Sequence, residues 1–337
     1  METIDWKNLG FGYSKADYNV RSWYRNGQWG EIEVTTDEHV TMHIGATCLH
    51  YGQESFEGIK AFRGQDGKIR VFRMDENAKR MQRSAQGIML AEVPTSLFID
   101  AVKKVVKLNE AFVPPFDSGA SLYIRPLLIG TGPQIGVKPA EEYLFTIIVM
   151  PVGPYFKEGF KATDLVIYRE YDRAAPLGTG KIKVGGNYAA SMVAGQRAHQ
   201  EGFSAVLYLD AREKKYIDEC GPANFFAIKG NSYVTPKSES ILPSITNMSL
   251  RQLAADMGMK IEERQIPVEE LSEFDEVGAC GTAAVISPIK RIYDADHDKE
   301  YLYGSEPGKV SVQLYEKLQG IQYGLEPDPY NWTTIIE

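Results

Sequence analysis

The chain has 337 residues, of which 43% are hydrophobic and 24% charged, and a formal net charge of −8 at pH 7. This composition is that of an ordinary globular protein and excludes long disordered spans, and the length favours two domains. Acidic and basic residues are interspersed without a long basic run, which argues against nucleic acid or an anionic membrane as the main partner and favours a small-molecule substrate.

The first residues and the cysteines predict the compartment. The N-terminus lacks the basic start and apolar core of a signal peptide, and no apolar stretch reaches the roughly 20 residues of a membrane span. Cys48, Cys220 and Cys280 have neither Cys-x-x-Cys spacing nor a histidine placed as in a zinc site. We therefore expect reduced thiols, no metal site and a cytoplasmic protein.

Hairpin, helix and strand patterns follow one another in the first part of the chain. Asp66-Gly67 favours the positive φ angles of a tight turn and predicts a hairpin over residues 61–72. Apolar residues at helical spacing predict one helix with Asp75 as its N-cap and another from about Thr95. Two strand-like runs follow, at residues 121–129 and 143–150.

A cluster of proline and glycine interrupts the second of these runs at residues 151–154. Such residues cannot continue a strand ladder and tend to mark exposed connections, so a domain boundary is expected there. The predicted division is a smaller α/β domain over residues 1–150, a linker over 151–160 and a larger α/β domain over 161–337.

Strands alternate with single helices in the second domain. Predicted strands cover residues 166–171, 205–209, 225–229 and 277–286, the last interrupted by Gly281-Thr282. Predicted helices cover residues 188–200, a stretch opened by Ser244, and residues 308–319 with Gly320 as the stop. Short strands separated by single helices favour a mixed α/β or α+β fold over a regular parallel wound sheet.

One lysine lies in a setting suited to covalent chemistry. Residues 178–188 read Gly-Thr-Gly-Lys-Ile-Lys-Val-Gly-Gly-Asn-Tyr, with Lys183 between flexible glycine turns and Tyr188 five positions later. A lysine that attacks a carbonyl must lose its proton near neutral pH and approach the carbon closely, and the glycines permit that approach. Lys181 is the rival nucleophile, and an ordinary exposed lysine is the simpler interpretation of either residue alone.

A carboxylate and two hydroxyl-bearing turns could supply the other groups that pyridoxal phosphate needs. Glu219 could keep a pyridine nitrogen protonated, so that the ring accepts the electrons left when an amino acid loses its α-proton. Ser244-Ile245-Thr246 opens a helix whose first amides attract an anion, Gly281-Thr282 offers a second turn, and Arg80 could add charge. Each also has a purely structural interpretation, as an exposed strand residue, N-cap, turn or solvated helix residue, but their joint presence favours a phosphate site.

Further segments match a known family in order along nearly the whole chain. They are His50-Tyr51-Gly52, Phe56 to Phe62, Phe72-Arg73 to Asn77, Arg80 to Ala85, Tyr123 to Leu127, Lys183 to Tyr188, Glu219 to Phe226, Leu242 to Thr246 and Gly281 to Ala284. The chain thereby resembles the branched-chain amino acid aminotransferases, members of the fold-type IV (class IV) pyridoxal-phosphate enzymes.

The resemblance implies a two-domain fold-type IV architecture and a role for each matching residue. Lys183, which precedes the Gly-Gly-Asn-Tyr run, would bond to the cofactor aldehyde, Tyr188 would bind its phenolic oxygen and Glu219 its ring nitrogen. The implied phosphate contacts are Arg80, Ile245, Thr246 and Thr282. The implied substrate positions are Phe11, Tyr51, Phe56, Tyr123 and Tyr155, some of them contributed across a dimer interface, with Arg125 for the acidic side chain of glutamate and the backbone of Thr282 and Ala283 for the α-carboxylate.

The implied reaction is reversible amino transfer from L-leucine, L-isoleucine or L-valine to 2-oxoglutarate, in a homodimer or a higher homo-oligomer. Pro222, Ala223 and Asn247 depart from the family pattern. The alternatives are another enzyme of the same fold, such as a D-amino acid aminotransferase or an aminodeoxychorismate lyase, and a protein that binds pyridoxal phosphate without turnover.

Overall fold

The computed structural model describes residues 4–6, 9–154 and 160–337, and within them the chain forms two compact units. The first unit comprises Met1–Tyr155, Ile182–Gly185 and Gly320–Glu337, and the second comprises Phe156–Lys181 and Gly186–Gln319. Both contain helices and strands, which agrees with the predicted mixed α/β class. No helix in the part of the chain that the structure describes has the length and apolar character of a membrane span.

The first unit is built on an antiparallel sheet backed by two helices. Its strands are β1 Asn19–Arg25, β2 Gln28–Trp29, β3 Glu33–Thr35, β4 Glu54–Phe56, β5 Ile59–Arg63, β6 Ile69–Phe72, β7 Ser121–Gly130 and β8 Tyr143–Val152. Its helices are α1 Thr47–Tyr51, α2 Met74–Gly87 and α3 Thr95–Leu108, with short 3₁₀ turns at Glu110–Phe112 and Phe116–Ser118. The predicted hairpin is present as β5 paired with β6, and both predicted long strands are present.

Two local expectations in this unit are wrong. Helix α2 is capped by Arg73, which takes a left-handed conformation with φ of 46°, and Asp75 lies in its first turn instead. Pro151 does not end β8 but pairs with Leu122 inside the sheet. A proline can lie in a ladder where its missing N–H is not needed for a strand hydrogen bond.

The second unit contains a strand ring flanked by helices. Its strands are β9 Thr163–Ile167, β10 Ala205–Leu209, β11 Ile217–Cys220, β12 Ala223–Lys229, β13 Ser232–Pro236, β14 Lys260–Arg264, β15 Glu276–Gly281, β16 Val285–Asp294 and β17 Lys299–Leu302. Its helices are α4 Gly185–Gln200, α5 Ile245–Asp256 and α6 Lys309–Tyr323, with a 3₁₀ helix at Val268–Glu273. Gly185 at the start of α4 and residues 320–323 at the end of α6 are assigned to the first unit. Among the described residues the sheet order is β11-β10-β9-β16-β15-β12-β13-β14, and an extra pairing of β11 with β12 closes the first six strands into a ring.

The C-terminal segment differs from the predicted division, which assigned residues 161–337 to one domain. Helix α6 continues past the expected stop at Gly320 as far as Tyr323, and Gly324 follows with φ of 70°. The chain then adds a strand, β18 Thr333–Ile336, to the sheet of the first unit by pairing with β6. Residues 320–337 therefore belong to the first unit.

Candidate active site

Lys183 lies in the segment Ile182–Gly185, which packs inside the first unit. Its N–H donates to Ser84 Oγ of α2 at 2.9 Å, and its carbonyl accepts from Ser55 Oγ of β4 at 2.9 Å. The sequence suggested that flexible glycine turns surround this lysine. The structure corrects that expectation, because side chains from two separate elements hold the main chain at Lys183.

An aromatic and cationic cluster of the first unit begins at the ring that lies against the lysine amine. Lys183 Nζ lies 4.7 Å from the centre of the Phe56 ring, and the Arg125 guanidinium lies 4.8 Å from the same ring. Arg125 Nη2 donates to the Tyr123 hydroxyl at 3.0 Å, and Phe11 packs edge-on against Tyr123 with ring centres 5.1 Å apart. Five of the predicted site residues are thus brought together here.

Arg125 also offers a donor that the described residues leave unused. Its Nε is buried and has no hydrogen-bond partner among the described atoms. A buried N–H that lacks a partner costs about 1–3 kcal/mol, so such a group is expected to have a ligand. A carboxylate is the natural partner of a guanidinium.

Arg80 is not a solvated helix residue, because only 4% of its surface is exposed. Its Nε and Nη2 donate to both oxygens of Glu57 at 2.7 and 2.6 Å, and Asn77 Nδ2 donates to Glu57 Oε2 at 2.7 Å. Such a bidentate pair fixes the plane of the guanidinium. Glu57 was not singled out from the sequence.

Lys60 is a second buried cation of this unit. It is opposite Tyr123 in the antiparallel pairing of β5 with β7, so the two side chains lie on one face of the sheet. Burial lowers the pKa of Lys60 from 10.5 to about 8. Sequence reasoning gave it no role.

Two predicted substrate residues are not part of this cluster as described. Tyr51 is 41% exposed and its hydroxyl donates to the Ile135 carbonyl. Tyr155 lies outside the described residues.

Glu219 lies in the second unit, on β11 opposite Asn224 of β12, and is 2% exposed. Its Oε1 lies 3.2 Å from Arg173 and accepts from the Leu242 N–H at 2.5 Å. Arg173 is itself buried and also donates to the Gly180 carbonyl at 2.8 Å. The simple interpretation of Glu219 as an exposed strand glutamate is wrong, and Arg173 is a partner that no sequence pattern indicated.

The start of α5 carries the predicted hydroxyl donor and an unexpected polar network. Ser244 caps the helix by accepting from the Asn247 N–H at 3.2 Å, and Thr246 is 6% exposed in the first turn with Ile245. The Asn247 amide donates to Asn224 Oδ1 at 3.1 Å and to Thr235 Oγ1 at 2.8 Å. The departure at Asn247 thus places a neutral side chain within a buried hydrogen-bond network.

The second predicted turn joins β15 to β16. Thr282 and Ala283 are half-buried in it, and Val285 closes it with φ of 65°. A β-branched residue rarely adopts that conformation, and backbone strain of this kind is concentrated at functional sites. Tyr188 is half-buried in the first turn of α4.

The family described as "Amino-transferase class IV" matches residues 54–292. The chain belongs to the class IV amino-transferase family. This confirms the resemblance inferred from the sequence.

The most informative relatives are full-length matches. The chain is 46% identical to a branched-chain-amino-acid aminotransferase of Haemophilus influenzae over 100% of both chains, and 47% identical to one of Helicobacter pylori over 98% of both. Among solved structures, the branched-chain amino acid aminotransferase of Escherichia coli is 27% identical with a TM-score of 0.79, covering 96% of this chain and all of that one. A second branched-chain amino acid aminotransferase, from T.th. and solved with pyridoxamine 5′-phosphate, is 26% identical with a TM-score of 0.80, covering 96% of this chain and 99% of that one. These likenesses confirm the predicted fold.

Each unit contains residues whose chemistry fits a part of pyridoxal phosphate. The first unit offers a lysine amine on an aromatic ring, the buried guanidinium of Arg80 and the buried Nε of the partly buried Arg125. The second offers a buried carboxylate paired with a cation, and a capped helix start with a threonine hydroxyl. An aldehyde, a ring nitrogen and a phosphate require these donor types.

Proposed function

We propose that this protein transfers the amino group of L-leucine, L-isoleucine or L-valine to 2-oxoglutarate, giving the branched 2-oxo acid and L-glutamate. The observation that carries the proposal is the cluster of Phe56, Arg125 and Lys183: an apolar ring and a guanidinium with an unused donor lie beside a reactive amine. Such a cluster suits both a branched hydrocarbon chain and the distal carboxylate of 2-oxoglutarate. The branched-chain aminotransferases that match the chain over its full length support the same reaction.

Bound pyridoxal phosphate would supply an aldehyde that takes up the amino group and a ring that accepts electrons. Lys183 Nζ would hold the aldehyde and, as a neutral amine, would accept the proton of the substrate α-carbon on its nitrogen. Glu219 would hold a proton on the ring nitrogen. Arg173, 3.2 Å away, pairs with that carboxylate and orients it.

The remaining predicted residues are proposed to bind and orient the cofactor and the substrate. Arg80, Ile245, Thr246 and Thr282 are proposed to contact the phosphate, and Tyr188 the phenolic oxygen. Backbone amides at Thr282 and Ala283 would bind the substrate carboxylate.

The apolar part of the substrate is selected by burial. Phe11 packs on Tyr123, the Arg125 guanidinium lies over the rings of Phe56 and Tyr123, and each buried methylene contributes about 0.8 kcal/mol. Tyr51 and Tyr155 are also proposed as substrate residues, Tyr51 from outside this aromatic cluster. Because leucine, isoleucine and valine differ by one methylene or by branching, we expect weak discrimination among the three.

We also propose that the protein is a homodimer and acts in the cytoplasm. In the first unit, Ile44, Leu49, Ile135 and Val137 are 60–87% exposed, and the Gln134 N–H donates to the Gly45 carbonyl at 2.9 Å, which joins their two loops. An exposed apolar patch of this kind is typical of an interface between chains. All three cysteines are free thiols, as is usual in a reducing compartment.

An amino-donor panel tests the proposal. Loaded protein is supplied with 2-oxoglutarate and each of L-leucine, L-isoleucine, L-valine and D-alanine, and glutamate is measured. We expect turnover with the three branched L-amino acids, its loss in Lys183→Ala, and its retention in the matched control Lys181→Ala. Turnover with D-alanine alone would indicate a D-amino acid aminotransferase, and cofactor binding without any turnover would indicate a binding protein.

A further inference from the structure

We propose that Ser55 and Ser84 are positioning residues that fix the main chain of Lys183, so that its amine reaches the cofactor aldehyde. This inference rests on the proposed function. It assigns roles to two serines that lie on different elements of the first unit, β4 and α2. Both serines are 0% exposed.

The Lys183 N–H is bound by Ser84, whose hydroxyl proton is donated to another group. Ser84 Oγ donates to the Arg80 carbonyl one helical turn earlier, at 3.0 Å. Its lone pairs are therefore left to accept, and one accepts the Lys183 N–H at 2.9 Å. The same turn of α2 thus carries the Arg80 guanidinium and the contact to Lys183.

The Lys183 carbonyl oxygen accepts two hydrogen bonds. Ser55 Oγ donates to this oxygen at 2.9 Å, and the Phe56 N–H donates to it at 3.2 Å. A carbonyl oxygen has two lone pairs, so both bonds can form together. The strand that presents the Phe56 ring to the lysine amine is therefore the strand that fixes the lysine backbone.

The residues on either side of Lys183 are also fixed. Ile182 is 7% exposed and packs against Gly87 of α2, where a Cβ would meet the isoleucine Cδ1 at 2.7 Å. The Gly185 N–H donates to Glu54 Oε1, and a side chain at position 185 would collide with that carboxylate. Burial raises the pKa of Glu54, although the Gly185 N–H opposes the rise.

These contacts tie the main chain from which the lysine amine projects to α2 and β4, so that the segment is not a flexible glycine turn. A shift of about 1 Å in a reacting group can reduce a rate by about a hundredfold, so a lost backbone contact at this position should show in the bond to the aldehyde. The amine form of the cofactor makes no such bond. The two cofactor forms therefore separate positioning of Lys183 from general damage to the site.

The test follows cofactor release from loaded, full-length holoenzyme in the aldehyde form and in the pyridoxamine form. The variants are Ser55→Ala, Ser84→Ala and the double variant, with Ser55→Thr as the variant that keeps the hydroxyl. Ser22→Ala is the matched control, because Ser22 is also a buried serine of the first unit and donates to the Gly30 carbonyl at 2.8 Å. Thermal unfolding of each protein is recorded in parallel.

We expect release of the aldehyde form to become about tenfold faster in each single variant, as the loss of one buried hydrogen bond predicts, and faster still in the double variant. Release of the pyridoxamine form should stay within about twofold of the original protein. Ser55→Thr should restore slow release, and Ser22→Ala should lower the melting temperature without changing release. If Ser84→Ala does not fold, Ser55→Ala and Ser55→Thr carry the comparison.

Aldehyde release at the original rate in Ser55→Ala and Ser84→Ala would overturn the inference, and so would equal acceleration of both cofactor forms. Neither result would affect the proposed function. That proposal fails on a different result, namely unmodified protein whose Lys183 forms no borohydride-trapped adduct with the aldehyde.

Discussion

Glu219 and Arg173 form a buried ion pair in the second unit. With Arg173 3.2 Å from Oε1, Glu219 is held in one orientation, from which it would hold a proton on the ring nitrogen. The neighbouring Asp218 is also buried but accepts from Ser238 and Ser240, and burial raises its pKa. Two adjacent carboxylates therefore have different surroundings.

Glu219→Gln should reduce kcat by at least about a hundredfold while cofactor content is retained, because an amide cannot hold the ring proton. Steady-state kinetics with leucine and the absorption spectrum measure the two quantities. Asp218→Asn is the control and should keep most of the turnover. Unchanged kinetics in Glu219→Gln would contradict the role given to that carboxylate.

Lys60 gives the molecule a pH-dependent stability. Its pKa is lowered by burial from 10.5 to about 8, so between these values the unfolded chain binds a proton that the folded chain has lost. The free energy of unfolding contributed by this group therefore rises with pH across that window, by about 1.4 kcal/mol per unit of pKa difference, and is constant below it and above it.

Urea unfolding of the original protein and of Lys60→Met tests this from pH 7 to pH 11. The difference in unfolding free energy, original minus variant, should increase by roughly 3 kcal/mol between about pH 8 and pH 10.5. Taking the difference removes the other groups that titrate in this range. A difference that does not change with pH would contradict the lowered pKa.

Several of these residue environments could not be predicted from the sequence. Lys183 and Glu219 were found because glycine-rich and acidic segments are visible in the sequence, and their family motifs are specific. Arg173, Glu57, Ser55 and Ser84 were missed, because each acts through a partner 23 or more positions away that only folding brings close. The flexibility assigned to Lys183 failed for the same reason.

At the scale of elements, the C-terminal strand β18 completes the edge of the first sheet. Trp332 is 9% exposed, packs edge-on against Phe72 at 5.9 Å and lies under the Arg73 guanidinium at 5.0 Å. Deleting residues 330–337 should lower the unfolding free energy by at least about 2–3 kcal/mol, the value of burying one large aromatic side chain.

Urea unfolding measures this loss, with deletion of Glu337 alone as the control because that residue lies beyond β18. A truncated protein as stable as the control would show that the strand contributes nothing to the sheet.

Local pattern predicted most elements, because a tight turn such as the one containing Gly67, whose φ is 77°, and an apolar helix face such as that of α3 depend on nearby residues. It could not predict which sheet a distant segment joins. The residues of β18 read like any short strand, and their partner β6 lies more than 250 positions earlier. The division at residues 1–150 and 161–337 stays a sequence prediction, and the compact units differ from it at the segments 182–185 and 320–337.

At the scale of the whole molecule, the proposed homodimer depends on the exposed apolar patch of Ile44, Leu49, Ile135 and Val137. Sedimentation of the full chain should give about twice the 37.7 kDa chain mass, and the double variant Leu49→Asp with Ile135→Asp should shift it toward one chain. Leu302→Asp is the control, since Leu302 is 68% exposed in the second unit. A double variant that sediments as the original would place the interface elsewhere.

The proposed function depends most on a covalent bond between Lys183 and the cofactor aldehyde. Protein loaded with pyridoxal phosphate is reduced with borohydride, digested and mapped by mass spectrometry. We predict a single phosphopyridoxyl adduct, located on Lys183. An adduct on Lys181 or on another lysine, with Lys183 unmodified, would contradict the account.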